Sequence, residues 1–537
     1  MAPAQSDMGL NELRPVESSQ PEGLTVGPSD RLSRSTHEEG ASQAGQAYRI
    51  NNLGLWSLGA QHLSSTWGDR AAEFAFYLYL IEIFKTTLVP ASLFGFFTTG
   101  ICILTSGWIG SLVDRLPKLV FVRWTIALQK ISATAAYACF LTLFLTDLGD
   151  SAVQGIHVPT LTWVLFAIIT LLGCVLKVST VGISVAIERD WATCIAEGHD
   201  SRLTTVNTVL RRIDLICKLV APLFVSLLTA AASYAFSAAF LLGFGLVTTV
   251  FELIWIQIVY RWFPVLEREQ QRKDAGRRDA EQTSSGSSRR SGSSQGPYRK
   301  PLTWSRATRW FIAQASDWNE FTRHPVFGSS LSISLLYLTV LSFDGTLLSW
   351  LKTHDFSDPF VAGMRSICVL AGLFGTFLAP FLEKKVGLVR AGNWALWSQV
   401  VALVPVLLSF YVGAPRDGTR SSNWNAAMLF GGLALSRIGL WAFDLCQLKE
   451  LQVSLADHPR RNALTGLQYA LQNIADLMKY VLTLILSRPS QFRWAALVSF
   501  ISVLAGAMSY MAFVRRMRGH IIHKEWLEAL LGKAKAG

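Results

Sequence analysis

Two acidic side chains one turn apart in an apolar stretch are the first place where this sequence shows chemistry. Leu63 to Glu82 reads Leu-Ser-Ser-Thr-Trp-Gly-Asp-Arg-Ala-Ala-Glu-Phe-Ala-Phe-Tyr-Leu-Tyr-Leu-Ile-Glu, so Asp69, Arg70, Glu73 and Glu82 are set among aromatic and aliphatic residues. A charge inside hydrocarbon costs on the order of a few kcal/mol, so such residues face a protein interior or a wet cavity. Asp69 and Glu73 are spaced i, i+4, which puts both carboxylates on one face of a helix. Two oxygen donors looking into a membrane cavity make a cation site. The competing reading is that Asp69 pairs with Arg70 or a neighbouring helix and only holds packing.

The elements that must carry such a pair are membrane spans. Of 537 residues, 51% are hydrophobic and 16% charged, and the mean hydropathy is +0.33. A polytopic membrane protein has this balance and a soluble multidomain protein does not. The net charge of +12 raises a nucleic-acid partner, but Lys and Arg lie between apolar runs and in one linker. The positive-inside rule accounts for that distribution, and no nucleic acid is expected. The seven cysteines fall mostly in apolar segments and form no CxxC, which supports neither a disulfide framework nor a zinc site. The nine histidines are scattered and form no catalytic or metal-binding set, so neither an enzyme nor a cofactor is expected.

Residues 1–50 are rich in Ser, Gly, Pro, Gln and Glu and read as a disordered tail, not a cleaved signal peptide. Apolar segments long enough to cross a bilayer follow at 54–84, 89–112, 120–146, 159–187, 204–231 and 234–261. Residues 262–322 form a linker of mixed charge and Ser-Gly repeats. Within it Trp304, Phe311 and Trp318 recur every seven residues, which suggests an amphipathic helix at the membrane surface. Six more spans are read at 327–353, 358–383, 389–411, 425–452, 463–487 and 492–514, before a tail over 515–537. The fold class expected is an all-α polytopic membrane protein, twelve transmembrane helices in two six-helix halves, 54–261 and 327–514. That is the major facilitator layout, two halves around a central cavity. A monomer in the lipid bilayer is expected.

Lys and Arg cluster in the loops after even-numbered spans, while 147–158 holds Asp147 and Asp150 with no Lys or Arg. Both termini and the linker are therefore expected to be cytoplasmic, with Arg416 and Arg420 as outer-side exceptions. A weak internal repeat fits two halves. Asp114, Arg115 and Lys118 follow the second span, and Glu383, Lys384 and Lys385 follow the eighth. An acid with adjacent cations at such a helix end can bond neighbouring helix ends and hold an inner gate shut; plain loop charge is the alternative.

Several stretches together resemble the ferroportin family (solute carrier family 40), the iron exporters, of which this would be a divergent member. They are Ser65-Thr66-Trp67-Gly68-Asp69-Arg70, Glu188-Arg189-Asp190-Trp191, Leu210-Arg211-Arg212-Ile213-Asp214, Leu341-Ser342-Phe343-Asp344, Gly387-Leu388-Val389-Arg390, and Arg437-Ile438-Gly439-Leu440-Trp441-Ala442-Phe443-Asp444-Leu445. The resemblance spans roughly residues 55–515. It implies release of iron(II) from the cytosol, proton-coupled or otherwise antiported, by a twelve-helix facilitator with one metal site in each half.

Animal members use an Asp and a His on the first helix. Asp69 matches the Asp, while Glu73 occupies the His position. Carboxylate is a harder ligand than imidazole, so the pair is expected to favour iron, manganese or cobalt less sharply over magnesium or calcium. For their second site, animal members use a Cys after the Phe-Asp of span seven and a His on span eleven. Here Gly345 follows Asp344, and Lys479 follows Asp476-Leu477-Met478. Glycine has no ligand and an ammonium repels a cation, so the second site is expected to be absent. Lys479 would then be a built-in cation held by Asp476 or Asp344; whether it carries a coupled proton or is only an ion-pair partner stays open. The Cys also serves hormone control in animals, which Gly345 makes unexpected here.

Asn207 is a further candidate, lending an amide oxygen to the first site or making an interhelical hydrogen bond. Arg189, Asp190, Arg211, Arg212 and Asp214 gather at the inner ends of spans four and five, and Arg437, Asp444 and Arg461 mirror them on spans ten and eleven. Opposed charges there suit a salt-bridge gate that forms when the cavity opens outward, or else hold each half together internally. The function expected is export of iron(II) or a similar divalent metal by alternating access, with protons as the possible coupled ion, in a plasma or vacuole-type membrane. The rival is a facilitator for a small organic solute, because one fold hosts many functions.

Overall fold

The apolar runs become helices because a backbone in hydrocarbon must satisfy its own hydrogen bonds. The computed structural model describes residues 52–84, 89–146, 159–288, 306–342, 347, 350–351, 356, 358–412, 423–486 and 491–518. The expected tails over 1–50 and from 519 onward, the Ser-Gly repeats from 291, Trp304, Asp344, Gly345, Arg416 and Arg420 lie outside the described residues. In order the helices are α1 (Asn52–Ile83), α2 (Val89–Arg115), α3 (Lys118–Leu145), α4 (Thr160–Ile183), a π-helical segment (Ser184–Trp191), α5 (Ala192–Ala196), α6 (Asp200–Ala231), α7 (Tyr234–Trp262), α8 (Pro264–Ser288), α9 (Arg306–Arg323), α10 (Phe327–Tyr337), α11 (Asp358–Val386), α12 (Leu388–Ser409), α13 (Asn423–Ser454), α14 (Arg461–Ile485) and α15 (Phe492–Arg518).

Nine of the described helices hold a stretch long and apolar enough to cross a membrane. The other three that correspond to expected spans differ for visible reasons. α1 carries Asp69, Arg70, Glu73 and Glu82, and α14 carries Gln468, Gln472, Asn473, Asp476 and Lys479. α10 stops after 11 residues, although the apolar run reads on to 353. Over 338–342 the backbone is non-helical, with Val340 and Leu341 buried, and Leu347, Trp350 and Leu351 are helical again. Ser499 Oγ accepts from Val340 N at 2.9 Å, and Arg437 donates to the Leu341 carbonyl. Irregular backbone at membrane depth is tolerated where protein groups satisfy it in this way.

Packing follows two groups of helices. α3 packs on α4 and α7, and α1 on α6; α13 packs on α11 and α12, and α15 on α10 and α12. The first group buries Phe76, Tyr79 and Phe140, with Tyr79 Oη bonded to Ser237 Oγ at 2.7 Å. The second buries Leu396, Phe443 and Tyr510. The groups meet where α2 packs on α14 and α6 on α11 and α13.

At the end of the molecule that carries α8, here termed the linker end, α9 docks on protein. Trp318 and Phe321 pack against Leu451, Leu455, Leu464 and Leu467. Arg460 pairs with Asp317 and, at 2.8 Å, with Glu320. Two His-Pro turns flank this contact. His324 Nδ1 accepts from Val326 N at 3.3 Å, His458 Nδ1 accepts from Arg460 N at 3.2 Å, and the rings meet edge-on with centroids 5.9 Å apart. Burial, then neighbouring His458, holds the His324 imidazole below its ordinary range. The docked turn therefore favours the neutral ring: its contribution is full above the ordinary imidazole value and is lost as pH falls below it. Hydrogen exchange over 312–326 is expected to speed up on going from about pH 7.5 to about pH 5.5, beyond the intrinsic pH effect. In His324→Asn, which keeps an acceptor without a titrating ring, that excess acceleration should disappear.

Candidate functional site

Asp69 and Glu73 stand one turn apart on α1 and both meet α4. Thr180 Oγ1 donates to Asp69 Oδ1 at 2.6 Å, and Lys177 Nζ lies 3.2 Å from Glu73 Oε1. The other Glu73 oxygen takes Arg70 Nη1 at 2.9 Å. Asp69 also lines a cavity of about 30 Å³ with Gln129, Lys130, Thr134, Tyr137 and Thr248. That is room for about one water-sized guest. Glu73 is the more open of the two, its side chain 43% exposed. The pair is thus polar and partly wet, but Glu73 already holds two cations.

Beside this cavity Lys130 Nζ pairs with Glu252 Oε1 at 2.7 Å, and Ser64 donates to the same oxygen at 2.6 Å. Gly68 leaves the space this needs: a Cβ there would stand 2.9 Å from Lys130 Nζ. On α14, Lys479 Nζ lies 2.7 Å from Asp476 Oδ1, so the expected partnership with Asp476 is formed.

A row of charges leads away from Glu73. Arg70 also donates to Asp214 Oδ1, from Nη2 at 2.7 Å and Nε at 3.2 Å. Asp214 Oδ2 is 3.4 Å from Arg211 Nη1, and Arg211 Nη2 is 2.6 Å from Asp444 Oδ2 on α13. Arg211 also lies over the Trp441 ring, 5.4 Å from its centroid.

The linker end is closed by contacts between helices that precede the linker and helices that follow it. The π-helical segment, a form that often marks functional positions, carries Arg189 and Asp190. Asp190 is buried and accepts from Lys118, from Arg461 Nη2 at 2.6 Å and from Asn462 Nδ2 at 3.1 Å. Asp114 accepts from Asn462 Nδ2 at 2.8 Å and from Ala463 N at 3.1 Å. It thereby caps α14, whose own N-cap residue Arg460 makes no side-chain cap. Arg189 sits over Tyr469, 5.1 Å from its centroid. Arg212 donates to Thr376 Oγ1 at 3.2 Å and stacks 3.6 Å from the Phe377 centroid. Lys449 pairs with Glu383 and donates to Thr204 Oγ1 at 3.0 Å. Just outside, on α8, burial holds the Lys273 ammonium below its ordinary range despite the nearby Asp190 and Asp114.

The sequence-derived candidates therefore separate into groups. Asp114, Lys118, Asp190, Arg211, Asp444 and Arg461 are joined across the seam, Arg189 reaches it through the Tyr469 ring, and Arg212 through Thr376 and the Phe377 ring. Asp214 ties Arg211 to Arg70, and Arg437 serves the broken backbone after α10. Arg115 is exposed at the end of α2. Asn207 is also in the seam: it exchanges amide hydrogen bonds with Gln452 at 2.6 and 3.3 Å and is not brought to Asp69 or Glu73. Lys130, Lys177, Lys218, Glu252 and Lys449 were not singled out, although the signal that marks Asp69, a charge within an apolar run, marks them too. Among the described residues no three His, Cys, Asp or Glu side chains gather as a ready metal cage.

Against known proteins, the family described as Ferroportin1 (FPN1) matches residues 53–503. A solute carrier family 40 member 1 from Oryza sativa subsp. japonica is 30% identical over 467 residues, covering 86% of this chain and 91% of that protein. Ferroportin of Rattus norvegicus is 24% identical, covering 91% of this chain and 95% of its own length. In structure the chain is similar to a bacterial homologue of the iron transporter ferroportin in its outward-facing state with soaked iron, at a TM-score of 0.67 and 22% identity over 86% of this chain and 99% of that one. It is also similar to the major facilitator proton:xylose symporter XylE, at a TM-score of 0.58 and 13% identity over 85% of this chain and 95% of that one. Both likenesses fit the all-helical facilitator fold.

Proposed function

We propose, from the premise that this chain belongs to the ferroportin family, that it exports iron(II) or a similar divalent metal by alternating access, with Asp69 and Glu73 as the ligands supplied by α1. As a family member it is a multi-pass membrane transporter and not an enzyme. One observation carries the ligand assignment: Glu73 is partly open, and both of its oxygens already rest on cations, Lys177 and Arg70. A site that takes ammonium and guanidinium can take a metal ion in exchange. With two carboxylates and, among the described residues, no third ligand of that kind gathered, affinity is modest, as a carrier that must release its cargo requires.

We place the linker end on the cytoplasmic side, which the Lys and Arg between the spans support. Metal enters while that end is apart and binds Asp69 and Glu73. The helices then rock, the Asp190 and Arg211 contacts form, and metal leaves on the opposite side. Protonating either carboxylate weakens the site and offers a route to proton coupling. The test is radiolabelled iron flux in proteoliposomes. Asp69→Ala and Glu73→Ala are each expected to lower flux by about tenfold or more, since losing one of two direct ligands costs at least as much as losing an outer-shell partner. Flux unchanged in both would end the assignment.

A further inference from the structure

We propose that Arg70 reports metal occupancy of Glu73 to the seam, by trading partners along the row Lys177, Glu73, Arg70, Asp214, Arg211, Asp444. The proposal rests on the reading of Glu73 as a ligand. The row alternates in sign, runs through α4, α1 and α6, and ends on α13. Arg70 is its midpoint, with one nitrogen on Glu73 and two on Asp214. Arg211 is likewise divided, loosely held by Asp214 at 3.4 Å and closely by Asp444 at 2.6 Å.

The direction of the effect follows from competition for carboxylate oxygens. A divalent ion on Glu73 competes with Lys177 and Arg70 for its oxygens and, with twice their charge at short range, repels both from it. Arg70 then bonds Asp214 alone, through the bidentate geometry that guanidinium and carboxylate favour. Asp214, neutralised, holds Arg211 less, and Arg211 turns wholly to Asp444. The pair that crosses the seam is strengthened, so the loaded protein closes its linker end. When metal leaves, Arg70 returns to Glu73, the arrangement seen here; Asp214 then competes for Arg211, and the cross-seam pair, still formed at 2.6 Å, is easier to break. Lys218 stands beside this row, with Arg70, Asp214 and Glu73 as charged neighbours, and competes with Arg70 for the same two acids. An exporter needs this sign: closure of the entry side must follow loading.

The test uses the full chain in nanodiscs, with fluorophores attached at the exposed positions Leu116 and Lys384 on the two sides of the linker end, and manganese(II) as probe. Calorimetry reads binding and single-molecule energy transfer reads closure. Wild type is expected to bind and to shift towards the closed population by roughly tenfold. Arg70→Gln should bind at least as tightly, since a competitor for Glu73 is gone, yet lose the shift; Arg70→Lys should recover part of it. Because Arg70→Gln leaves Asp214 short of a partner, Arg70→Gln with Asp214→Asn is run beside it, and the same loss of shift is expected. A metal-induced shift of wild-type size in either variant overturns the relay. Glu73→Ala with wild-type affinity overturns the ligand assignment and the relay with it, whereas lost affinity there with an intact shift in Arg70→Gln overturns the relay alone.

Discussion

Asp190→Ala is expected to unlatch the linker end. Asp190 is almost wholly buried and serves three donors at once, Lys118, Arg461 and Asn462. Removing it leaves the buried Lys118 ammonium and the partly buried Arg461 guanidinium without their shared counter-charge, and breaking a buried pair from one side costs about 3–5 kcal/mol. The closed arrangement bears that cost because Arg461 and Asn462 sit on α14, across the seam from Lys118. A native reporter lies beside the contact: Cys194 is buried, with Sγ 3.5 Å from Arg461 Nη2. Its modification by a maleimide should rise from near zero in wild type to rapid labelling in Asp190→Ala, and iron flux should fall by about a hundredfold or more if the opened end cannot re-form. Adding Lys118→Met removes one of the stranded cations and should restore part of the protection, because neighbouring substitutions of this kind are not additive. Cys194 equally protected in wild type and Asp190→Ala would show that the latch holds little.

Much of this arrangement was legible in the chain, and what was not has physical causes. Apolar run lengths located the membrane-length helices other than α10 within several residues, since the bilayer sets their minimum length. Asp69, Glu73 and Asp190 stood out because a charge in such a run needs a partner or water. Which partner it finds is a matter of tertiary packing. Nothing local says that Lys118 meets Asp190, that Lys449 meets Glu383, or that Asn207 turns to Gln452 and not to Asp69. The run from 327 to 353 reads as one span because hydropathy registers side chains. The helix ends at Tyr337 because Ser499 and Arg437, far along the chain, satisfy the freed backbone. Scattered histidines gave no hint that His324 and His458 face each other. The row from Lys177 to Asp444 was visible only as separate charges: its members on α1, α6 and α13 were noted and Lys177 was not, and their order depends on how those helices cross.

Gly466→Val is expected to hold the linker end open while leaving the fold in place. α2 and α14 approach so closely that a Cβ on Gly466 would lie 2.2 Å from the Ser106 carbonyl oxygen, and one on Gly110 would lie 2.0 Å from the Asn462 carbonyl oxygen. Both obstacles are backbone, so no rotamer change relieves them, and the helices must separate by about 1 Å or more to restore an ordinary contact. Small residues four apart, Ser106 with Gly110 on α2, are what permits such close crossing in a membrane, where packing and not water drives helices together. Overpacking of this kind costs about 1–3 kcal/mol by itself. Here separation also pulls Asn462 and Ala463 away from Asp114 and Asn462 from Asp190, so the loss compounds. The two helices lie on opposite sides of the linker in sequence, and the contact they lose is the seam and not either packed group. Thermal unfolding should therefore move little, while Cys194 labels rapidly and flux falls as in Asp190→Ala. A Gly466→Val protein that keeps Cys194 protected would mean that the end is held by its ion pairs alone, and the same variant unfolding many degrees lower would mean that the seam is part of the core and not a joint that opens.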